Sequence, residues 1–357
     1  HSSCIVWQQF WVSISTASPQ GLSGAPYNGQ IAKYISSFAV EFQNKYWSNV
    51  NVWSCENTEV EMVVKKLNSV GRFRNSFELI YGNGTKMLVS DELMLDSVIQ
   101  LLHGSKDGMP EPFEFVKILT YLDKSDSPIV KENIMMVELL FYNYIRHDVN
   151  LRHFQLFYGI LHNPSTMLEL IKLAWLPDNE QAKEIRNNEF AKNKNLSSIA
   201  KIALEILHGL EAQPCENNNG VVNGQDLKKY AKELLEAAKS EYLERPAMYV
   251  IGKLLGNINL GEDYPPPYLG EILEELDKDE IDDEYRRQLF NRHGFTCRAY
   301  NEGGTIERKR EKNFLSYAEK TRFTYDRITI VFEKLASEYH HMGDREDVNA
   351  KLEDLDN

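Results

Sequence analysis

The chain has 357 residues, of which 42% are hydrophobic, and this is enough to build the cores of two domains or of one elongated array. Its formal charge of −13 and its pI near 5.3 argue against attraction of the whole molecule to nucleic acid or to an anionic membrane surface. A site for an anion must therefore be local.

The N-terminal stretch CIVWQQFWVSISTAS has the length of a signal-peptide core, but it lacks a basic start and the chain does not begin with Met. We interpret it as an internal segment of a longer polypeptide. No stretch approaches the roughly 18 apolar residues that a membrane-spanning helix needs, so no membrane partner is expected.

The cysteines stand singly in the sequence, with no Cys-x-x-Cys pair and no spacing typical of zinc or of a disulfide framework. They are Cys4, Cys55, Cys215 and Cys297. This usage predicts a cytoplasmic protein, and we expect neither a metal nor a cofactor.

Residues 1–90 have a mixed pattern, which predicts a small α/β region that ends an upstream domain. The helical spacing of apolar residues from Ile31 to Phe42 predicts one amphipathic helix that reaches about Trp47. The apolar runs FELIY (77–81) and TKMLV (85–89) flank a Gly-Asn-Gly turn, and this arrangement predicts a β-hairpin.

From Ser90 onward the apolar period is helical almost everywhere. Asp91 is placed to cap a helix, whereas Pro112, Pro128 and Pro164 stand where a first helical turn accepts proline. Successive helices of this kind must bury their apolar faces against one another. The sequence therefore predicts a mainly α protein, an irregular α-solenoid or helical array, with a helical array at 91–260 and a C-terminal block at 261–357 that contains a basic loop-helix segment.

Catalytic and metal motifs are weak. His147, His153 and His162 lie close in sequence, but they belong to two helical patterns without a carboxylate at ligand spacing, so helix packing is favoured. The pair His340 and His341 is interpreted as solvated. Cys297 lies near basic residues but lacks a designed thiolate context. Neither a nucleophile elbow nor a phosphate loop is present, so an enzyme is not favoured.

Aromatic residues cluster on two successive helical segments and are mostly expected in the core. Part of such a cluster can instead line a groove that takes a partner helix or peptide. The candidate partner-binding residues from this cluster are Phe141, Tyr144, Phe157 and Tyr158.

The most distinctive stretch runs from Tyr285 to Arg327 and holds 11 Arg and Lys against 5 Asp and Glu. Gly303, Gly304 and Thr305 open a helix there, so its first-turn N–H groups can meet an anion. The candidate anion-binding residues are Arg298, Thr305 and Arg308, and the candidate partner-binding cations are Arg286, Arg287 and Arg292.

Acidic flanks offer another explanation of this stretch. Residues 262–284 carry 11 acidic residues against Lys278, and residues 333–357 carry 8 acidic against 3 basic. Charge pairing within the fold is therefore favoured over contact with a protein partner, and both are favoured over phosphate or nucleic acid.

A limited resemblance covers about residues 245–350. Its residues are Arg245-Pro246, Ile251-Gly252-Lys253-Leu254-Leu255, Pro266, Leu273 to Leu276, Phe290-Asn291-Arg292 with Gly294, Thr296 and Arg298, and Glu302-Gly303-Gly304 with Glu307-Arg308. Here the sequence resembles the C-terminal helical block of large bacterial multidomain proteins, some of them linked to defence against phage. The resemblance implies a regulatory or sensing array and carries over no catalytic residue.

The sequence thus predicts a non-catalytic interaction or sensing module of a larger bacterial protein, acting through a protein partner or by self-association. The alternative is a domain that binds nucleic acid or a nucleotide phosphate through residues 285–327.

Overall fold

The structure is a computed structural model that describes residues 27, 29–50, 57–82, 89–102, 104, 108–147, 151, 154–217, 220–261, 265–292 and 302–355. Within these residues it contains 18 helices and no strand, so the mainly α prediction is confirmed. The chain divides into two compact units, His1–Gln155 and Leu156–Asn357. No helix among the described residues has the length and apolar character that crossing a membrane requires.

The first unit is built from eight short helices. They are α1 (Gly29–Ile35), α2 (Val40–Trp47), α3 (Asn57–Ser69), α4 (Phe73–Gly82), α5 (Asp91–Leu101), α6 (Pro112–Leu122), α7 (Pro128–Leu140) and α8 (Tyr142–Ile145).

The second unit follows with longer helices, the first of which begins at the last residue of the first unit. They are α9 (Gln155–His162), α10 (Pro164–Ala174), α11 (Glu180–Lys192), α12 (Lys194–Gly209), α13 (Gly224–Ser240), α14 (Glu244–Gly256), α15 (Pro267–Leu276), α16 (Asp279–Asn291), α17 (Thr305–Thr321) and α18 (Asp326–Leu355).

The β-hairpin predicted near residue 80 is wrong in its first strand, because residues 77–81 belong to helix α4. The buried residues Phe73, Phe77 and Ile80 recur at helical spacing, and this longer period outweighs the short apolar run. The second predicted strand falls largely on residues 83–88, outside the described residues. The mixed α/β character of the N-terminal region is therefore not confirmed.

The single helix predicted up to Trp47 is two helices, α1 and α2. Between them the Ser36 hydroxyl donates to the Ala32 carbonyl (2.8 Å) and the Ser37 hydroxyl donates to the Tyr34 carbonyl (2.6 Å). Such local side-chain bonds compete with continuation of the helix. The apolar period continues across the break, which is why the pattern alone suggests one helix.

Helix starts follow the predicted signals closely. Pro112, Pro128 and Pro164 each stand in the first turn of a helix, and the Asn163 side chain caps α10 by accepting from the Ser165 N–H (2.9 Å). At α5 the cap is Ser90 rather than Asp91, which occupies the first helical position. Helix α11, which buries no residue, was not predicted because it has no apolar face.

The core of the first unit contains an aromatic stack. The ring of Phe115 lies 5.0 Å from that of Phe77, 4.7 Å from that of Phe141 and 4.8 Å from that of Tyr144, measured between centroids. These spacings are typical of favourable aromatic pairs. Phe141 is only 1% exposed, so its side chain belongs to the core.

In the second unit, α14 and α16 pack at very short distance through two glycines. A Cβ on Gly252 would lie 2.7 Å from the Ile281 carbonyl oxygen, and one on Gly256 would lie 2.5 Å from the Gln288 side chain. Small residues four positions apart leave one helix face open to such an approach. This packing fixes the end of α16, where Arg292 lies.

Helices α17 and α18 form an antiparallel hairpin around stacked rings. Phe314 on α17 lies 5.8 Å from Tyr339 on α18, with the ring planes nearly parallel, and 6.1 Å from Phe332. The hairpin brings the start of α17 beside the later part of α18. The solenoid arrangement and the three-region division of the chain stay predictions.

Candidate functional site

The start of α17, where the sequence suggests an anion site, is occupied by the chain's own carboxylates. The Gly304 N–H donates to Asp347 Oδ1 at 2.7 Å, and Arg308 Nη2 donates to Asp347 Oδ2 at 3.2 Å. Arg308 also pairs with Asp344 and, at 3.4 Å, with Glu311. We call these four side chains the Arg308 cluster. The helix N-terminus and the arginine fork do hold an anion, and that anion is Asp347.

Two glycines make this approach possible. A Cβ on Gly304 would lie 2.4 Å from the Gly343 carbonyl oxygen, and Gly303 has a φ of +53°, in the region that favours glycine. The Thr305 hydroxyl, predicted to face an anion, donates instead to the Glu302 carbonyl oxygen at 2.7 Å. Thr305 therefore stabilises the turn into α17.

The Arg308 cluster shifts the acidity of its members. Hydrogen bonds from Arg308 lower the pKa of Asp344, and those from the Gly304 N–H and from Arg308 lower the pKa of Asp347. His340 joins the cluster, with its Nδ1 2.9 Å from Arg308 Nη1 and 3.0 Å from Glu311 Oε1. His340 is exposed, as the sequence predicts, and its ring also contacts Arg308 and Glu311.

Other arginines of the basic stretch also meet carboxylates. Arg286 pairs with Glu338 and Arg287 with Glu284, whereas Arg322 lies 2.8 Å from Glu333. Arg327 pairs with three aspartates of the acidic flank, namely Asp277, Asp279 and Asp282. The predicted charge pairing within the fold is confirmed for these arginines. A contiguous cationic face for nucleic acid is not formed by them.

Arg292 has a different environment. Its guanidinium donates to the Gly256 and Ile258 carbonyl oxygens at 3.0 and 2.8 Å, and to Asn259 Oδ1 at 2.7 Å. All three acceptors are neutral. Arg298 and Cys297 lie outside the described residues, so only Thr305 and Arg308 of the predicted anion-binding set are described, and the role of the full set stays a prediction.

The histidine predictions have mixed outcomes. His153 lies outside the described residues, and the structure brings no group of three potential metal ligands together within the described part of the chain. The rings of His162 and Tyr158 stack with centroids 4.3 Å apart. The two ring nitrogens of His162 lie 3.0 Å from the Tyr158 carbonyl oxygen and 3.1 Å from that of Glu216, so this histidine links α9 to the loop before α13.

The four candidate aromatics have different exposures. Phe141 and Phe157 are buried, whereas Tyr144 is half-buried and packs on Phe115. The predicted role of Phe141 and Phe157 as partner contacts conflicts with this burial, and that of Tyr144 stays a prediction. Tyr158 is 55% exposed and is the most exposed member of the set.

Tyr158 lies at the edge of a pocket of about 480 Å³, which we call the Tyr158 pocket. It is lined by Tyr158, His162, Pro164, Cys215, Glu216, Asn217, Asn223, Asp226, Lys229, Tyr230 and Glu233. The described lining residues thus include three carboxylates and one ammonium group. The sequence signal for this pocket is the polar loop at 213–224, which has few apolar residues to bury.

Local geometry explains how the loop forms one wall. Cys215 has a φ of +53°, and its N–H donates to the Leu161 carbonyl oxygen at 3.1 Å. Asn223 caps α13 by accepting from the Gln225 N–H at 3.0 Å, which places Asp226 in the first turn. Burial raises the pKa of the Cys215 thiol to about 11, so the thiol is neutral at ordinary pH.

No protein-family model, curated protein or solved structure matches the chain. The structure alone defines the class: the described residues form an all-helical protein with two compact units and a pocket of mixed polarity in the second unit. The resemblance to bacterial multidomain proteins stays a prediction.

Proposed function

We propose that this chain is a non-catalytic protein-interaction module, and that its second unit binds a basic side chain of a protein partner in the Tyr158 pocket. The observation that carries the proposal is Tyr158 itself, which is 55% exposed beside a pocket whose charged lining is mainly acidic. An aromatic ring and carboxylates together are the groups that bind an arginine or a lysine.

Charge favours a cationic occupant. Among the Asp, Glu and Lys side chains that line the pocket, Glu216, Asp226 and Glu233 outnumber Lys229, and Glu233 lies 3.8 Å from the Lys229 ammonium group. The whole chain carries a formal charge of −13, which attracts a basic segment over longer distances. The pocket volume of about 480 Å³ lies within the roughly 300–1,000 Å³ typical of ligand sites.

The same pocket is a poor catalytic site. The Cys215 thiol is protonated because burial raises its pKa to about 11, and a protonated thiol is a weak nucleophile. The ring nitrogens of His162 are directed at backbone carbonyl oxygens rather than at the thiol. These two features support binding rather than acid–base or nucleophilic chemistry.

The proposal is tested by fluorescence anisotropy with a labelled tri-arginine peptide, with a tri-glutamate peptide as the control probe. We expect the arginine peptide to bind and the glutamate peptide not to bind. Tyr158→Ala and Glu233→Gln should each weaken binding by about tenfold or more, since tenfold corresponds to about 1.4 kcal/mol.

Matched variants separate the pocket from general electrostatic attraction. Glu236→Gln makes the same charge change on an exposed face of α13 that does not line the pocket, and Tyr242→Ala removes an exposed tyrosine elsewhere. Both should bind the arginine peptide like the wild type. Equal losses in Glu233→Gln and Glu236→Gln would sink the proposal, and so would the absence of binding.

The chain's place in a larger bacterial protein, a role in antiviral defence and a cytoplasmic location are proposals that rest on the resemblance and on cysteine usage. Binding of nucleic acid through residues 285–327 has less support, because the arginines at 286, 287, 308, 322 and 327 are paired with carboxylates.

A further inference from the structure

A second cavity, of about 270 Å³, lies between the end of α16, the face of α17 and the segment after α14. It is lined by Leu260, Leu289, Arg292, Arg310, Asn313, Phe314 and Tyr317. We call it the Arg292–Arg310 cavity. Two guanidinium groups and no carboxylate line it among the described residues, although the chain as a whole is acidic.

The first cation is held rigidly by neutral groups. Arg292 donates three hydrogen bonds to the Gly256 and Ile258 carbonyl oxygens and to Asn259 Oδ1. A guanidinium has five N–H donors, so these bonds leave donors for a further acceptor. Because the acceptors are neutral, they orient the Arg292 guanidinium without cancelling its positive charge. The partial negative charge at the C-terminal end of α14 offsets only part of that positive charge.

The second cation comes from α17 together with a polar and an aromatic side chain. Arg310, Asn313 and Tyr317 recur at positions that share one helix face. The Arg310 guanidinium lies 5.6 Å from the centroid of the Tyr339 ring and hydrogen-bonds with the Tyr339 side chain. The Tyr317 hydroxyl donates to the Gly261 carbonyl oxygen at 2.7 Å, which fixes the ring at the cavity wall.

The lining defines the chemistry of a fitting ligand. The guanidinium groups and the Asn313 amide offer donors to an oxyanion, whereas Leu260, Leu289 and the aromatic rings offer apolar walls to a small organic body. The volume lies just below the range of about 300–1,000 Å³ for drug-sized ligands, so the ligand must be small.

We propose that the Arg292–Arg310 cavity binds a small organic oxyanion, with a carboxylate or phosphate head at the two arginines and an apolar body against Phe314 and the two leucines. This site is separate from the Tyr158 pocket and does not depend on the function proposed for that pocket. Charge-assisted hydrogen bonds to both arginines make the interaction sensitive to salt.

The test is isothermal titration calorimetry of the full chain with four probes: phenyl phosphate, benzoate, inorganic phosphate and benzyl alcohol. We expect phenyl phosphate or benzoate to bind, and to bind at least tenfold more tightly than inorganic phosphate or benzyl alcohol. Comparison of the two organic anions tells a phosphate head from a carboxylate head. Equal affinity for phenyl phosphate and inorganic phosphate would overturn the assignment of an organic ligand.

Variants on α17 locate the site. Arg310→Gln and Asn313→Leu should each weaken binding of the organic anion by about tenfold or more, because both side chains line the cavity. Arg322→Gln, which removes an exposed arginine of the same helical hairpin outside the cavity, should leave the affinity unchanged. A thermal melt of each variant confirms folding. No heat from any probe, or equal loss in Arg310→Gln and Arg322→Gln, contradicts the proposal.

Discussion

Arg308 and Arg310 are two positions apart in helix α17, yet their side chains serve different regions of the second unit. Two positions correspond to about 200° around a helix, so the two guanidinium groups leave opposite sides. Arg308 faces Asp344, Asp347 and Glu311 in the Arg308 cluster. Arg310 lies over the Tyr339 ring and lines a cavity with Arg292.

The comparison shows that a basic stretch is not one functional unit. In the Arg308 cluster the anion that satisfies the helix N-terminus and the arginine is supplied by α18, so the charge is used to join two helices. In the Arg292–Arg310 cavity the bonds that orient Arg292 go to neutral oxygens, and its positive charge remains available to a ligand. Three predictions test this distinction.

The largest effect is expected from Gly304→Ala, which should separate α17 from α18 at the Arg308 cluster. The new Cβ would lie 2.4 Å from the Gly343 carbonyl oxygen, and a backbone atom cannot move aside cheaply. Overpacking of this kind costs about 1–3 kcal/mol. For a unit of this size we expect a fall in Tm of about 2–10 °C, measured by circular dichroism.

Gly29→Ala is the control for this prediction, because a Cβ there meets nothing within 4 Å. It should leave Tm unchanged or slightly higher, since alanine favours the helix. A Gly304→Ala protein as stable as the wild type would show that the two helices do not approach so closely.

The second prediction concerns pH. In the folded chain Arg308 lowers the pKa of Asp344 and of Asp347. The stability that these carboxylates contribute is therefore present above the ordinary Asp pKa of about 3.9. It is lost as the pH falls through the lower pKa values of the folded state. Arg308→Met should therefore lower Tm at about pH 5, and this effect should shrink progressively as the pH falls below the ordinary Asp pKa of about 3.9. Added salt should also reduce it.

The pKa of Asp282 is shifted in the opposite direction, so its contribution to stability depends on pH in the opposite way. Burial outweighs its pairing with Arg327 and raises its pKa to about 6, so the protonated acid is favoured in the fold. Its contribution is present below the ordinary Asp pKa and is lost as pH rises through about 6. Asp282→Asn should remove this part of the pH profile and leave the Arg308 part in place. An Arg308→Met effect that does not shrink as the pH falls below about 3.9 contradicts the role given to the aspartates.

Much of the local structure could be predicted from the sequence. Proline in a first turn and asparagine before it identify the starts of α6, α7 and α10, because these signals act within a few residues. The excess of acid on both sides of the basic stretch also predicted that its arginines would be paired. The prediction failed at α4, because the short run FELIY conceals the longer helical period of its buried residues.

The contacts of the Arg308 cluster and of the Tyr158 pocket could not be predicted from local sequence patterns, because they join residues that are far apart in the chain. Asp347 is 43 residues away from Gly304 in sequence, and nothing local indicates that its carboxylate fills the start of α17. The Tyr158 pocket likewise depends on a loop that starts at Cys215, a residue with positive φ although it is not glycine. Composition can count charges, but only the packed structure shows which of them face each other.

The smallest effect on stability is expected from Arg310→Gln. This change removes a cation–π contact and a hydrogen bond with Tyr339, and an exposed cation–π contact is worth about 0.5–1 kcal/mol. The Tm of Arg310→Gln should fall less than that of Arg308→Met at low salt. Loss of the Arg308 charge leaves the carboxylates of Glu311, Asp344 and Asp347 close together without their shared cation. The organic anion that binds the cavity, phenyl phosphate or benzoate, should raise the Tm of the wild type and of Arg308→Met, since a ligand that binds the folded state stabilises it, but not that of Arg310→Gln. If Arg310→Gln instead costs as much as Arg308→Met without any change in the response to that anion, both arginines are structural and the two regions do not differ in function.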